Sequence, residues 1–261
     1  RIPSPSWFAP WWASRLTLGQ GRDRLEIRGS APARFETRQD QLAWVNEFGT
    51  VLGPIRVGAE TLRQQVLSDT AFTRTRRDTN AVFASVSETW RGQRLEASAR
   101  REEDGQYGGR NATSVSYGVP WPGVGFLALT VSEGLRAPTF LDLYAPATDA
   151  YQPNPDLRPE RSRNRELSLR PASAGSWSWR LTGFDHRIED LITDVFPTKA
   201  NVGRARIRGL EARVEGALAG VRVRAALTAQ RPEDEDTGLR LPGRAERFGR
   251  LELEHASGPW R

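Results

Sequence analysis

Apolar and polar side chains alternate residue by residue over long stretches of this chain, and that alternation limits what it can fold into. In 221–230 (VRVRAALTAQ), Val221, Val223, Ala225, Leu227 and Ala229 fall on one face; Arg222, Arg224, Thr228 and Gln230 fall on the other. In 207–218, Leu210, Ala212, Val214 and Leu218 oppose Glu211, Arg213 and Glu215. Leu25 and Ile27 oppose Arg24, Glu26 and Arg28, and Leu95, Ala97 and Ala99 oppose Arg94, Glu96, Ser98 and Arg100. A repeat of two belongs to a pleated strand with one apolar and one polar face. A helix would put Arg222 beside Ala226 and Glu211 beside Glu215 with no apolar stripe, so the helical reading fails.

The connections alternate in length. Short ones are expected near 19–22, 51–54, 91–93, 120–124, 171–175, 217–220 and 257–259, and longer ones near 34–39, 67–78, 103–111, 135–160, 189–202 and 231–243. This rhythm predicts about 13 antiparallel strands running up and down, with tight turns on one rim and loops on the other, as in outer-membrane barrels. Several strands have the roughly 9–11 residues that a tilted strand needs to cross a bilayer. Trp90, Trp121, Trp177, Trp179 and Trp260 lie beside short connections, where an interfacial aromatic girdle belongs. The polar faces are densely charged, as a wet lumen requires, and the apolar faces are light in Ala, Val, Leu and Gly. The expected fold is therefore all-β: an antiparallel up-and-down transmembrane β-barrel. Two rivals make different predictions. A self-contained pore or lipase-type barrel would pair its first and last strands. A soluble basic β-sandwich would bury large apolar residues between two sheets.

Composition narrows the chemistry. There is no Cys, which excludes disulfides, Cys-ligated metals and a Cys nucleophile, and there is no run of about 18 apolar residues for a membrane helix. The two histidines, His186 and His255, are read as rim residues, so no metal site is expected. No G-x-S-x-G signature supports a serine triad, and no catalytic residue is expected. The net charge of +6 is spread through strand after strand with Glu interleaved, which argues against nucleic acid. Glu233, Asp234, Glu235 and Asp236 are read as a solvated acidic loop; calcium there is the secondary reading. Arg74, Arg76 and Arg77 form the densest basic cluster, a candidate to meet lipopolysaccharide phosphates or an anionic ligand.

Between 134 and 215 a series of motifs follows in order: GLRAPTFLDLY (134–144), NPDLRPERS (154–162), RELSLRP (165–171), a Trp-rich strand (177–184), DHRIEDLI (185–192) and ANVGRARIRGLEARVE (200–215). Their order and spacing resemble the barrel of TonB-dependent outer-membrane receptors, nearest to the cobalamin receptors and next to siderophore receptors. Before residue 79 the resemblance is only in strand rhythm. It implies a Gram-negative outer-membrane location, active uptake of a scarce nutrient, no enzymatic activity and no cofactor. Its implied partners are outer-membrane lipid and lipopolysaccharide, a small-molecule nutrient ligand, and TonB with a plug domain in the full-length protein, the receptor being a monomer.

The family barrel has about 22 strands. Residues 1–261 are accordingly expected to be a single-domain internal barrel segment, without plug domain or C-terminal strands. Pro138, Pro153, Pro155 and Pro159 cannot donate to a ladder and mark a long defined loop, and a pair such as Arg158–Glu160 is read as a rim ion pair. Ligand contacts are expected at the outer loop tips: Tyr107 and Arg110 in one loop, Tyr144, Tyr151 and Asn154 in another, with Asp149 and Gln152 beside them.

Overall fold

The structure, a computed structural model, describes residues 9–27, 33–51, 53–172 and 175–255. Twelve strands among them form one sheet: β1 (Trp12–Ile27), β2 (Ala33–Thr50), β3 (Gly53–Ser68), β4 (Arg76–Trp90), β5 (Gln93–Asp104), β6 (Gly108–Trp121), β7 (Gly125–Arg136), β8 (Glu160–Arg170), β9 (Trp177–Val195), β10 (Thr198–Leu218), β11 (Val221–Asp234) and β12 (Arg247–His255). A five-residue helix, α1 (Phe140–Tyr144), interrupts the β7–β8 connection. Each strand pairs with the next in chain order, all antiparallel, and β1 and β12 share no ladder. This is an open, up-and-down partial barrel. The unpaired first and last strands and the single sheet weigh against both rivals.

Cross-strand register sorts the side chains into two faces. One row carries Leu16, Trp44, Ala59, Val82 and Arg101 across β1–β5. Farther round, Leu169, Leu181, Ala212 and Leu227 align across β8–β11. This apolar face is exposed: Leu18 by 77%, Leu210 by 57%, Leu227 by 61% and Leu251 by 66%. A soluble protein does not leave a leucine on nearly every strand in water; in a bilayer the same residues face hydrocarbon. The opposite face carries the charges. Arg100 bridges Glu60 at 3.2 Å and Glu102 at 3.3 Å, Arg56 meets Glu47 at 2.6 Å, and Arg224 meets Glu215 at 3.2 Å and Glu252 at 2.9 Å.

The strands, up to 21 residues in β10, exceed what a bilayer needs, and this corrects parts of the sequence reading. Residues 19–22 lie inside β1 and 34–39 inside β2, where Gly19 pairs with Gln41 and Gly21 with Gln39. The expected long loop at 189–202 is a hairpin: β9 runs to Val195, β10 starts at Thr198, and Phe196–Pro197 makes the turn. The β5–β6 connection shrinks to 105–107, because the Asp104 carboxylate accepts from the backbone N–H groups of Gln106 (2.8 Å) and Tyr107 (3.1 Å). Leu25 faces inward, reversing the sense of the belt, because the top of β1 has risen past it.

The two rims differ in the expected sense, but not at every connection. Four even-to-odd connections are tight (51–52, 91–92, 122–124, 219–220), and two of the opposite connections are long (137–159 and 235–246), while 105–107 and 196–197 on that same rim are short. Trp90, Trp121 and Trp177 lie at the tight-turn ends of β4, β6 and β9, joined by Trp12 on β1, which stacks on Phe48 at 6.1 Å. Trp260 and the turn placed at 257–259 lie outside the described residues. Glycines receive aromatic rings on this sheet. The Trp177 ring covers Gly216, where an added Cβ would lie 2.3 Å from it, and Phe83 covers Gly58 in the same way. Gly209 marks a close approach rather than a free bend, since a Cβ there would meet the Ala229 carbonyl at 2.3 Å.

Candidate functional site: the loop-bearing mouth

The 137–159 loop is fastened on both sides. On one side the Arg77 guanidinium donates to the Pro138 carbonyl (3.0 Å) and to Gln64 Oε1 (2.9 Å), and it covers the Phe140 ring at 5.2 Å. The Thr73 N–H donates to the Tyr144 carbonyl at 3.3 Å. On the other side the Gln152 N–H donates to the Pro197 carbonyl (2.8 Å), the Asn154 side-chain amide to the Lys199 carbonyl (2.9 Å), and Asn201 to the Arg158 carbonyl (2.9 Å). The loop thus runs between β4 and the β9–β10 hairpin. Leu143, Leu157 and Pro138 are fully buried within it.

Local chemistry explains its shape. Thr139 and Asp142 make a reciprocal capping box: the Thr139 hydroxyl accepts from the Asp142 N–H (3.1 Å), and Asp142 accepts from the Thr139 N–H (2.9 Å). The T-x-x-D spacing at 139–142 was the sequence signal for this helix. Asn154 Oδ1 accepts from the Asp156 N–H at 3.0 Å, so Asn154 spends both ends of its side chain on the loop itself. The Tyr151 hydroxyl donates to the Leu141 carbonyl at 3.0 Å. Asp149 and Gln152 are exposed at the tip.

Tyr107, Arg110 and Tyr144 come together from two different connections. The Arg110 guanidinium lies 5.3 Å over the Tyr107 ring and donates to the Tyr107 carbonyl at 3.1 Å. Its Nε is buried and has no partner among the described residues. Burial pushes the Tyr107 phenol up to about 12, and the nearby Tyr144 adds to the rise. Burial also pushes Tyr151 up to about 12. The mouth therefore offers neutral phenols and a stacked cation, a surface suited to a large, flat, polar-edged ligand.

The other sequence candidates are placed elsewhere. Arg77 is buried and faces the lumen, Arg76 pairs with Asp78 at 3.0 Å, and Arg74 donates to the Arg76 carbonyl at 3.1 Å, so this cluster is consumed within the fold. Arg158 pairs with Asp190 (2.6 Å) rather than Glu160; Glu160 is buried, receives Arg136 Nε at 2.7 Å, and accepts from the Ile192 N–H at 2.9 Å. His186 lies 3.2 Å from Glu166 on the lumen face, and His255 lies 3.2 Å from the Gly220 carbonyl. In the acidic loop, Asp236 binds Arg204 (2.8 Å), which holds its carboxyl below the usual range, and Asp234 accepts from the Asp236 N–H at 2.9 Å. Among the described residues no three His, Asp or Glu side chains gather to hold a metal. Sequence reading missed a small inward-facing apolar cluster, Leu191, Ala205, Ile207 and Leu241, where the β11–β12 loop folds onto β9 and β10.

An exposed apolar belt, a charged inner face and loops gathered at one rim define a transmembrane β-barrel receptor wall. The chain belongs to the TonB dependent receptor-like, beta-barrel family, whose model matches residues 7–261. It is 29% identical over 192 residues to a protein named Vitamin B12 transporter BtuB from Vibrio vulnificus (strain YJ016), covering 69% of this chain and 30% of that protein. A protein of the same name from Vibrio cholerae serotype O1 is 26% identical over 250 residues, 90% of this chain and 39% of its own length. The chain thus spans about a third of the curated relatives it matches. Among solved structures, a mutant of the ferric enterobactin receptor PfeA from Pseudomonas aeruginosa superposes with a TM-score of 0.72 at 15% identity, over 97% of this chain and 46% of that one. The copper transporter OprC gives 0.70 at 13% identity, over 95% and 46%. At these identities the structural likeness speaks for fold alone.

Proposed function

We propose that this chain is a single-domain portion of the barrel wall of a TonB-dependent active-transport receptor. It takes up a scarce, bulky nutrient across the outer membrane of a Gram-negative bacterium, a corrinoid such as cobalamin first and an iron–siderophore second. The observation that carries the reading is the meeting of Tyr107, Arg110 and Tyr144 at the loop-bearing rim, with a buried guanidinium nitrogen left unpartnered. A corrinoid presents a broad ring with amide edges, which phenols and a guanidinium stacked on one of them can hold. The curated relatives, named for vitamin B12, support the order of preference.

In this reading the barrel does no covalent chemistry. It keeps a charged aqueous interior within lipid and positions the loops. The plug domain and TonB act in the full-length monomer to release the ligand inward.

The test is equilibrium binding by the full-length receptor of cyanocobalamin and of a ferric catecholate. Cyanocobalamin is expected to bind the tighter. Tyr107→Ala and Arg110→Ala should each weaken it about tenfold, or about 1.4 kcal/mol, while Ser168→Ala on the lumen wall leaves it unchanged. Binding of the siderophore alone would reverse the preference, and binding of neither would sink the reading.

A further inference from the structure

Arg180 and Arg213 stand opposite one another in the β9–β10 ladder. Their neighbours Leu181 and Ala212 belong to the lipid belt, so the alternation of a strand points both arginines into the lumen. Side chains in direct register have Cβ atoms about 5 Å apart, and like charges placed so repel. Among the described residues no other pair of arginines is in direct register on the lumen face. Elsewhere on that face opposed charges are complementary: Glu47 faces Arg56, Arg224 faces Glu215 and Glu252, and Arg222 faces Glu254.

The pair lies toward the tight-turn end of the wall, where Arg170 is the last residue of β8 and Arg180 the fourth of β9. Past Arg213 the row continues through Ala226, a small residue, to Arg250 on β12. A cleft of about 760 Å³ opens there, lined by these residues. Three of its arginines are matched: Arg213 takes Glu211 (2.6 Å), Arg224 takes Glu215 (3.2 Å) and Arg250 takes Glu252 (2.9 Å). Two are not. Arg170 donates only to the Pro171 carbonyl, at 3.4 Å, and covers the Phe126 ring at 4.5 Å. Arg180 is exposed and makes no hydrogen bond or ion pair among the described residues. The cleft therefore holds two cations beyond its carboxylates.

We infer that this cleft is a binding site for a terminal phosphate group, held between Arg180 and Arg213. Two unmatched cations suit an anion with a charge of about −1.5 to −2, which a terminal phosphate carries at neutral pH. A lone carboxylate or a phosphodiester carries only a single charge. Guanidinium forks on adjacent strands can each take two phosphate oxygens, which a pair of ammonium groups would not do. An anion between them also cancels their repulsion, so the contact that destabilises the bare wall becomes a bridge. The phosphate is either the free ion or one esterified to a small molecule; the recognition is the same. The site rests on the inside–outside assignment of the sheet and lies at the opposite end of the strands from the nutrient mouth.

The test is isothermal titration calorimetry of the full-length receptor in detergent. The probes are inorganic phosphate and glycerol 3-phosphate, with acetate and dimethyl phosphate for comparison. The wild type should bind a terminal phosphate at least about tenfold more tightly than acetate or dimethyl phosphate, and R180Q/R213Q should lose that margin. R56Q/R94Q, which removes the same charge elsewhere on the lumen wall, should keep it. Phosphate should raise the urea midpoint of the wild type and leave that of R180Q/R213Q unmoved. Without phosphate, R180Q should unfold at no lower urea concentration than the wild type, because it removes only a repulsion; this shows that lost binding is not lost folding. Similar affinity for the two phosphates identifies the free ion as the sufficient ligand, and a clear preference for glycerol 3-phosphate identifies an ester. Binding of neither phosphate, equal binding of acetate, an unaffected R180Q/R213Q variant, or equal loss in R56Q/R94Q would each overturn the site. Cyanocobalamin binding by the same samples reads the uptake proposal independently, so the two can fail separately.

Discussion

Lys199 Nζ lies 3.0 Å from Asp142 Oδ1, joining the short helix of the mouth loop to the first residues of β10. Asp142 is only 6% exposed. Burial works against its charge, but hydrogen bonds from Thr139 and the Lys199 ammonium outweigh burial and hold the carboxyl below its ordinary value.

The lowered value fixes the sign of an acid response. A carboxylate held below its unfolded pKa of about 3.9 lends stability above that pH, and loses it as the pH falls through the folded value. The hydrogen-exchange protection factors of Asp142 and Leu143, taken relative to the intrinsic exchange rate at each pH, should stay constant from about pH 7 to 5 and fall below about 4. Asp142→Asn should remove the acid step and cost the loop about 1–3 kcal/mol at neutral pH, by leaving the ammonium without its partner. An unchanged acid step in the variant would mean that another group controls it.

The tyrosines give a response at the other end of the scale. With Tyr107 and Tyr151 pushed up to about 12, their neutral forms favour the folded protein; this contribution is whole below an ordinary pKa of about 10 and is lost as pH rises toward the folded value. Tyrosinate absorbance should show a late phase near pH 12, which Tyr107→Phe reduces by about half. An unaltered late phase would place that ionisation elsewhere.

The lipid belt predicts an asymmetry between neighbouring residues. Ala212→Arg, one row further into the belt beside Leu181 and Leu227, puts a charge in hydrocarbon and should cost about 2–4 kcal/mol near mid-bilayer. The adjacent Glu211, on the lumen face and paired with Arg213 at 2.6 Å, should tolerate Glu211→Gln at under about 1 kcal/mol. Urea titration of the full-length receptor refolded into vesicles separates the two; equal costs would remove the inside–outside assignment.

The ring over Gly216 predicts a packing defect. Gly216→Val should displace the Trp177 indole and cost about 1–3 kcal/mol. Gly243→Val, at a loop position where an added Cβ meets no atom within 4 Å but φ is +68°, tests backbone strain alone. Trp emission should change only in the first variant. If both leave it unchanged, the indole does not depend on that glycine.

The sequence carried the sheet because alternation is local: each leucine of the belt has its polar neighbour one residue away, and the receptor motifs fix the order of strands around them. The prolines at 138, 153, 155 and 159 marked the mouth loop for the same reason. Other features needed coordinates. Gly19 and Gly21 look like a turn but fall inside a ladder, since strands that rise above the bilayer no longer need an apolar face. Arg77 read as a surface cation, yet its partner Pro138 is 61 residues away and beyond any sequence window. Tyr107 and Arg110 were named from loop position alone, and nothing in the sequence indicated that one stacks on the other.

The mouth loop is anchored at Arg77 on one flank and at Lys199 on the other, so it works as a tie-beam across the opening. Flaring the rim would stretch this span before it bent the wall, and its fastenings would have to give way before a wider cargo could enter. The bore at this level is therefore governed by the fit of a few polar fasteners more than by the stiffness of the sheet.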